Sequence, residues 1–276
     1  MSDWGKLTVK QEETVKEIEK QETILPSSTK SRGLVVLLYG DTSTGKTHTT
    51  MSFPEPIVII DTESRAINTK NALFKTKNIK IHEPTEIKDE VTRSMDDMLD
   101  EVKSINNLTE ALSSYISDVK SGKIKGGTLV VDSVTDVWSW CSDWGYDKLQ
   151  YMKTSKGEQM SEPDMQKIVD QRMWKVATHK HQTIILVLRT LVKYGVNVVF
   201  TAREKSVPEY ATNKPQGKEK IRCQKDVPFA ADIIINLRRD NGKYLAYIEK
   251  LGVRKSPTKP IEEITYEKII ELKPMG

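Results

Sequence analysis

Cysteine is nearly absent from this chain of 276 residues: there are two, Cys141 and Cys223. Two thiols cannot form the framework that staples small secreted domains, and a reducing compartment fits best. Histidine is almost as scarce, with His48, His82, His179 and His181. None stands at zinc-ligand spacing from a cysteine, so no metal site of His/Cys type is expected. No apolar run approaches the ~20 residues of a membrane span. The first twenty residues are charged throughout, unlike a secretory leader, and a cytoplasmic location is expected. An excess of one charge is missing too. The 43 Lys+Arg stand against 39 Asp+Glu for a net +4, too mild to argue for nucleic acid unless the cations cluster.

What is present is a globular balance, 37% hydrophobic and 30% charged, with enough length to bury one large core. Residues 1–32 read as an N-terminal extension, flexible or an assembly arm, with a helix over Glu12–Glu22 and a Ser/Thr/Pro-rich stretch over Leu25–Ser31. Order begins at Leu34–Tyr39, an unbroken apolar run of the kind buried on both faces of a parallel sheet. Gly40 to Thr47 forms a loop entering a short helix that Pro54 and Pro56 stop. Ile57–Asp61, Ile79–His82, Thr128–Asp132 and Val196–Thr201 read as further strands. Apolar residues recurring at three and four predict helix over Lys88–Lys120, with Asn107 and Glu110 capping a second helix inside it. Thr135–Tyr151 is rich in aromatics, residues 152–162 are a polar loop, and Pro163–Tyr194 returns to helical spacing with Gly195 at the C′ position. Trp138, Trp144 and Trp174 are expected in the core or a subunit interface. Arg203–Pro228 reads as a long polar loop. Asp232–Arg238 and Tyr244–Lys250 flank Asp240-Asn241-Gly242, a strong hairpin signal. The alternation predicts an α/β fold with a mostly parallel sheet flanked by helices and a C-terminal β-hairpin. The core is expected over 33–256, followed by a tail over 257–276.

Gly40-Asp41-Thr42-Ser43-Thr44-Gly45-Lys46-Thr47 matches G-x-x-x-x-G-K-[ST] at every fixed position, with a strand before and a helix after. The loop's backbone N–H groups, together with His48 just beyond it, are expected around the phosphates of ATP. Lys46 reaches the β/γ-phosphates, and the Thr47 hydroxyl is placed to hold Mg²⁺. Thr128–Asp132 is four largely apolar residues running into an acid, so Asp132 is the second expected Mg²⁺ residue. No acid follows Asp132 directly. A hydrolase still needs a base for the attacking water, and Glu63, at the end of the strand after the P-loop helix, is the best candidate.

The order GDTSTGKT, IVIIDTES, TLVVDSVTD resembles the RecA/RadA/KaiC superfamily of core ATPases, over roughly residues 34–256. It is most similar to the small phage- and archaeal-virus-type RecA-fold ATPases, including the Sak-type single-strand annealing proteins. There "DTE" follows the second strand, "DS" closes the Walker-B strand, and a late "ADI" strand leads to a "K…R" segment, matched here by Ala231-Asp232-Ile233 and by Lys250 and Arg254. The resemblance implies that Glu63 orients water, that Ser133 accompanies Asp132, and that Lys250 and Arg254 reach a neighbouring subunit's γ-phosphate in a ring or filament. It also implies a prokaryotic or virus-infected cell. RecA carries an Asn-Gln pair after its fourth core strand. Here Phe200-Thr201-Ala202-Arg203 stands in that place, and Thr201 is the residue that can still bond the phosphate or water.

Arg203–Pro228 follows that strand, where RecA-like recombinases bind DNA. Arg203, Lys205, Lys214, Lys218, Lys220, Arg222 and Lys225 are candidates for phosphate contacts, and Tyr210 for base stacking. The expected activity is Mg-dependent ATP hydrolysis by a homo-oligomer acting on single-stranded DNA in recombination, annealing or replication. The alternative is a KaiC-like regulatory ATPase with protein partners and no DNA.

Overall fold

In the computed structural model, residues 32–88, 98–150, 162–205, 220–252 and 254–272 are described. The apolar runs become the middle of one sheet: β1 Val35–Gly40, β2 Ile57–Asp61, β3 Ile79–His82, β4 Thr128–Asp132 and β5 Asn197–Lys205. They are joined by β6 Lys220–Arg222, β7 Ile233–Asp240, β8 Lys243–Leu251 and β9 Ile261–Glu262. The order across the sheet is β3-β2-β4-β5-β1-β7-β8-β9, with β6 pairing to β5. From β3 to β7 all neighbours are parallel. β8 and β9 close that side antiparallel, turning at Asn241-Gly242 as expected.

The runs are unbroken because both faces are covered. Val35, Leu37 and Tyr39 of β1 pack into one cluster with Leu108, Trp140 and Leu188. Val36 and Leu38 pack into the other with Met51, Phe53 and Ile269. The helices of the first face are α3 Glu101–Lys120, α4 Val134–Gln150 and α5 Glu162–Thr190, the last ending in a 3₁₀ turn with Gly195 left-handed at φ 79°. Those of the second are α1 Lys46–Thr50, α2 Ala66–Leu73 and α7 Tyr266–Leu272, and a short α6 Val227–Ala230 precedes β7. Among the described residues no helix is long and apolar enough to cross a membrane.

Four expectations are corrected. The helix expected over Lys88–Lys120 is described over Glu101–Lys120; Ile87 bridges Leu99 in extended pairing, and residues 89–97 of that expectation lie outside the described residues. Asp100 sets the start at Glu101: its carboxylate accepts from the Lys103 N–H at 2.8 Å and caps the helix. Asn107 caps nothing, since it lies within the same continuous helix and donates to Glu86 at 3.0 Å. The loop expected from Arg203 is partly a ribbon, because β5 runs on to Lys205 and pairs Arg203–Lys205 with Lys220–Arg222. That pairing satisfies backbone groups that extend past the neighbouring strand. Finally, residues 261–272 are no tail. β9 joins the sheet, Ile264 and Ile269 are buried, and Tyr266 packs on Phe53 with ring centroids 5.0 Å apart. The helix over Glu12–Glu22, Tyr210, Lys214, Lys218 and most of the 152–162 loop lie outside the described residues.

Candidate nucleotide site

The carboxyl ends of the parallel strands supply the phosphate loop and the acids of the site. Gly40 to Thr47 leaves β1 and enters α1. Gly40 has φ 153°, and a methyl group added there would meet the Leu237 carbonyl oxygen at 2.1 Å, so only glycine fits. Gly45, at φ 91°, supplies the second turn of the loop. The Lys46 ammonium donates to the carbonyls of Gly40 at 2.9 Å and Asp41 at 2.7 Å, which holds it over the loop. Burial lowers its pKa from the ordinary lysine value, opposed by the charges of Asp132, Glu63 and Asp41.

β5 lies between β1 and β4, and this sets the next layer. Leu38 pairs with Thr201 on one side of β5, and Asp132 ends β4 on the other. The Asp132 carboxylate is buried and held by two hydroxyls, Thr47 Oγ1 donating to Oδ2 at 2.8 Å and Thr201 Oγ1 donating to Oδ1. Burial pushes its pKa up, and the two hydroxyl bonds work against that rise. A buried carboxylate met by neutral hydroxyls, beside a second hard oxygen, is a donor set that suits Mg²⁺. Thr47 and Asp132 would hold it; no cluster of three His, Cys, Asp or Glu occurs among the described residues.

Two acids close β2. Asp61 is spent on the backbone, accepting from Glu63 N at 3.1 Å and Ala66 N at 2.7 Å to fix the turn into α2. Glu63 lines the cavity. Its Oε1 accepts from Arg203 Nε at 3.0 Å, and Arg203 Nη2 reaches Asp136 Oδ2 at 3.1 Å. Asp136 in turn accepts from Thr62 Oγ1 at 2.8 Å and Ser133 Oγ at 3.0 Å. The Ser133 hydroxyl thus serves Asp136. The cavity around these groups is about 960 Å³, the size of a small-molecule site. On the β4 side its walls are Glu63, Asp132 and Arg203; on the β8 side they are Tyr244, Leu245, Ile264 and Thr265. His48 lines it as well, its ring 5.2 Å from that of Phe74.

The structure therefore brings together Lys46, Thr47, Glu63, Asp132 and Thr201. Lys250 and Arg254 stand elsewhere. Lys250 pairs with Ile234 at the opposite end of the sheet, and its ammonium donates to the carbonyls of Pro228, at 3.2 Å, and Ala231. Arg254 is exposed three residues past the end of the same strand, and neither reaches the loop of its own chain. Of the candidate DNA contacts, Arg203 belongs to this site. Lys205 and Arg222 are exposed on the β5–β6 ribbon, Lys220 lies opposite Lys205 in it, and Lys225 is exposed in the turn before α6. Sequence reasoning missed Asp136, Tyr244 and the wall at 263–268. Tyr244 follows the Asn-Gly turn closely, but nothing local marks it as facing the P-loop.

A family model described as an AAA domain matches residues 32–257. The chain belongs to the AAA domain family. The match spans the P-loop, the Asp132 strand and Glu63 together, so this AAA protein is a P-loop ATPase by family, with the α/β architecture expected. No curated protein matches its sequence. Among solved structures, the AAA protein is similar to a KaiC-like protein from the hyperthermophilic archaeon Pyrococcus horikoshii, at 18% identity and a TM-score of 0.41, over 84% of this chain and 85% of that one.

Proposed function

We propose that this protein hydrolyses ATP with Mg²⁺ and that hydrolysis serves the handling of single-stranded DNA in recombination, annealing or replication. The observation that carries hydrolysis is the convergence of Lys46, Thr47, Asp132 and Glu63 on one cavity. The loop N–H groups and Lys46 bind the β- and γ-phosphates, and the nucleoside extends toward Tyr244 and Leu245. Thr47 and Asp132 would hold Mg²⁺, which would supply neutralisation of phosphate charge. Glu63 accepts a hydrogen bond from water and aims its oxygen at the γ-phosphorus. As that P–O bond forms, the bond to ADP breaks and the water's proton passes to the carboxylate. Thr201 holds Asp132 in place, and its hydrogen bond opposes the rise in pKa that burial causes.

The DNA reading draws on the basic β5–β6 ribbon, with Arg203, Lys205, Lys220 and Arg222, and on the motif order shared with Sak-type annealing proteins. In a ring or filament, Arg254 and Lys250 are the cations for a neighbour's γ-phosphate. The test is ATP hydrolysis with and without single-stranded DNA, for the wild type and Glu63→Gln. The variant should keep ATP binding and lose hydrolysis by roughly 10²-fold or more, and DNA should stimulate the wild type. Normal hydrolysis by Glu63→Gln removes the base assignment. Hydrolysis indifferent to DNA, with no salt-sensitive binding, leaves the KaiC-like regulatory reading.

A further inference from the structure

Arg203 is a wall of two cavities. One is the nucleotide cavity. The other, about 510 Å³, lies between α4 and the β5–β6 ribbon, lined by Trp138, Ser139 and Ser142 on the helix and by Lys205, Ile221 and Arg222 on the ribbon. Its charged lining is three cations and a single carboxylate, Asp136, which Arg203 already engages. Beside it, the Trp138 ring stacks on that of Trp174, centroids 6.0 Å apart at 27°, and Trp174 is 53% exposed. A cationic groove edged by an open aromatic face is the chemistry that takes a single-stranded nucleic acid, phosphates on the cations and a base on the ring.

We propose that this second cavity binds the phosphodiester backbone of a single strand, and that a phosphate there draws Arg203 off Glu63 and so frees the base for hydrolysis. The choice of a strand as occupant rests on the DNA reading above; the restraint of Glu63 by Arg203 does not. The guanidinium holds one oxygen of the candidate base by a single N–H and Asp136 by another. A phosphate offers the same guanidinium a two-bond fork. The Arg203 side chain is 42% exposed and that of Glu63 21%. Such a half-exposed pair is worth ~1 kcal/mol or less, which a polyanion outcompetes. Arg203 is thus a positioning residue, and its contacts make the unstimulated enzyme slow.

The experiment is steady-state ATP hydrolysis by the full chain, with and without an oligothymidylate, for the wild type, Arg203→Ala, Arg203→Lys and Arg222→Glu. Arg203→Ala should raise the DNA-free kcat by roughly five-fold, the population change from losing a pair of ~1 kcal/mol. It should leave the KM for ATP unchanged and lose further stimulation. Arg203→Lys, which keeps the charge, should restore the low DNA-free rate. Arg222→Glu should need at least about ten-fold more oligothymidylate for half-stimulation, since a like charge now faces the phosphate. A DNA-free rate in Arg203→Ala at or below that of the wild type, with a fluorescent ATP analogue still bound, overturns the restraint. Half-stimulation of Arg222→Glu at the wild-type concentration overturns the cavity as the site. A raised rate in Arg203→Ala with a wild type indifferent to oligothymidylate overturns the strand and the DNA reading together while the restraint stands. Equal stimulation by inorganic phosphate also overturns the strand.

Discussion

Replacing His181 with leucine should stabilise the protein, and more so in mild acid. The imidazole is 0% exposed, neither ring nitrogen has a hydrogen-bond partner among the described residues, and its ring stands edge-on to Trp138 at 5.4 Å. Burial lowers its pKa from 6.5 to about 4, with the Asp226 carboxylate pulling the other way. Between those values the unfolded chain takes up a proton that the folded chain refuses. The stability tied to neutral His181 is therefore fully present above pH 6.5 and is lost as pH falls toward 4. At 1.36 kcal/mol per unit the whole loss is roughly 3 kcal/mol, of which about 2 kcal/mol has gone by pH 5. Leucine, of similar size, removes that term and also the unsatisfied nitrogens, worth about 1–2 kcal/mol at any pH. Urea unfolding at pH 7.5 and 5.0 measures both, and other titrating groups cancel in the difference between the two proteins. The advantage of His181→Leu should grow by about 2 kcal/mol on acidification. An advantage equal at the two pH values, or a less stable variant at pH 7.5, refutes the buried unpartnered imidazole.

Two further outcomes follow from the site. Gly40→Ala should lower stability by several kcal/mol, since its methyl group meets the Leu237 carbonyl; thermal melting checks this, and an unchanged melting temperature counts against the loop geometry. Thr201→Val removes one of two hydroxyls that hold Asp132, so the Mg²⁺ needed for half-maximal hydrolysis should rise roughly 10–100-fold, read from a Mg²⁺ titration at saturating ATP.

The strands were legible because burial on both faces leaves no polar residue to interrupt them, as in Val35–Leu38 and Leu129–Val131. The start of α3 was not legible, because the three-and-four spacing runs back through Met98 and Leu99 while the cap at Asp100 cuts it. Chemistry written in contiguous residues, such as Lys46 and Thr47, was equally plain. The contacts of Arg203 were hidden, because its partners Glu63 and Asp136 lie 140 and 67 residues away and meet only at the shared strand edge. The wall at 263–268 depends on β9 pairing with β8, and β9 is only two residues long.

That wall also has a meaning in time. A ribosome makes β1 and the phosphate loop first, then the other parallel strands, and only afterwards Ile264 and Thr265, which line the same cavity. A nascent chain, or one clipped after β8, owns the phosphate grip without the surface that meets the rest of the nucleotide. Such a chain would hold polyphosphates with little regard for what they carry. On the proposed nucleotide reading, discrimination among nucleotides would come late in the protein's own synthesis.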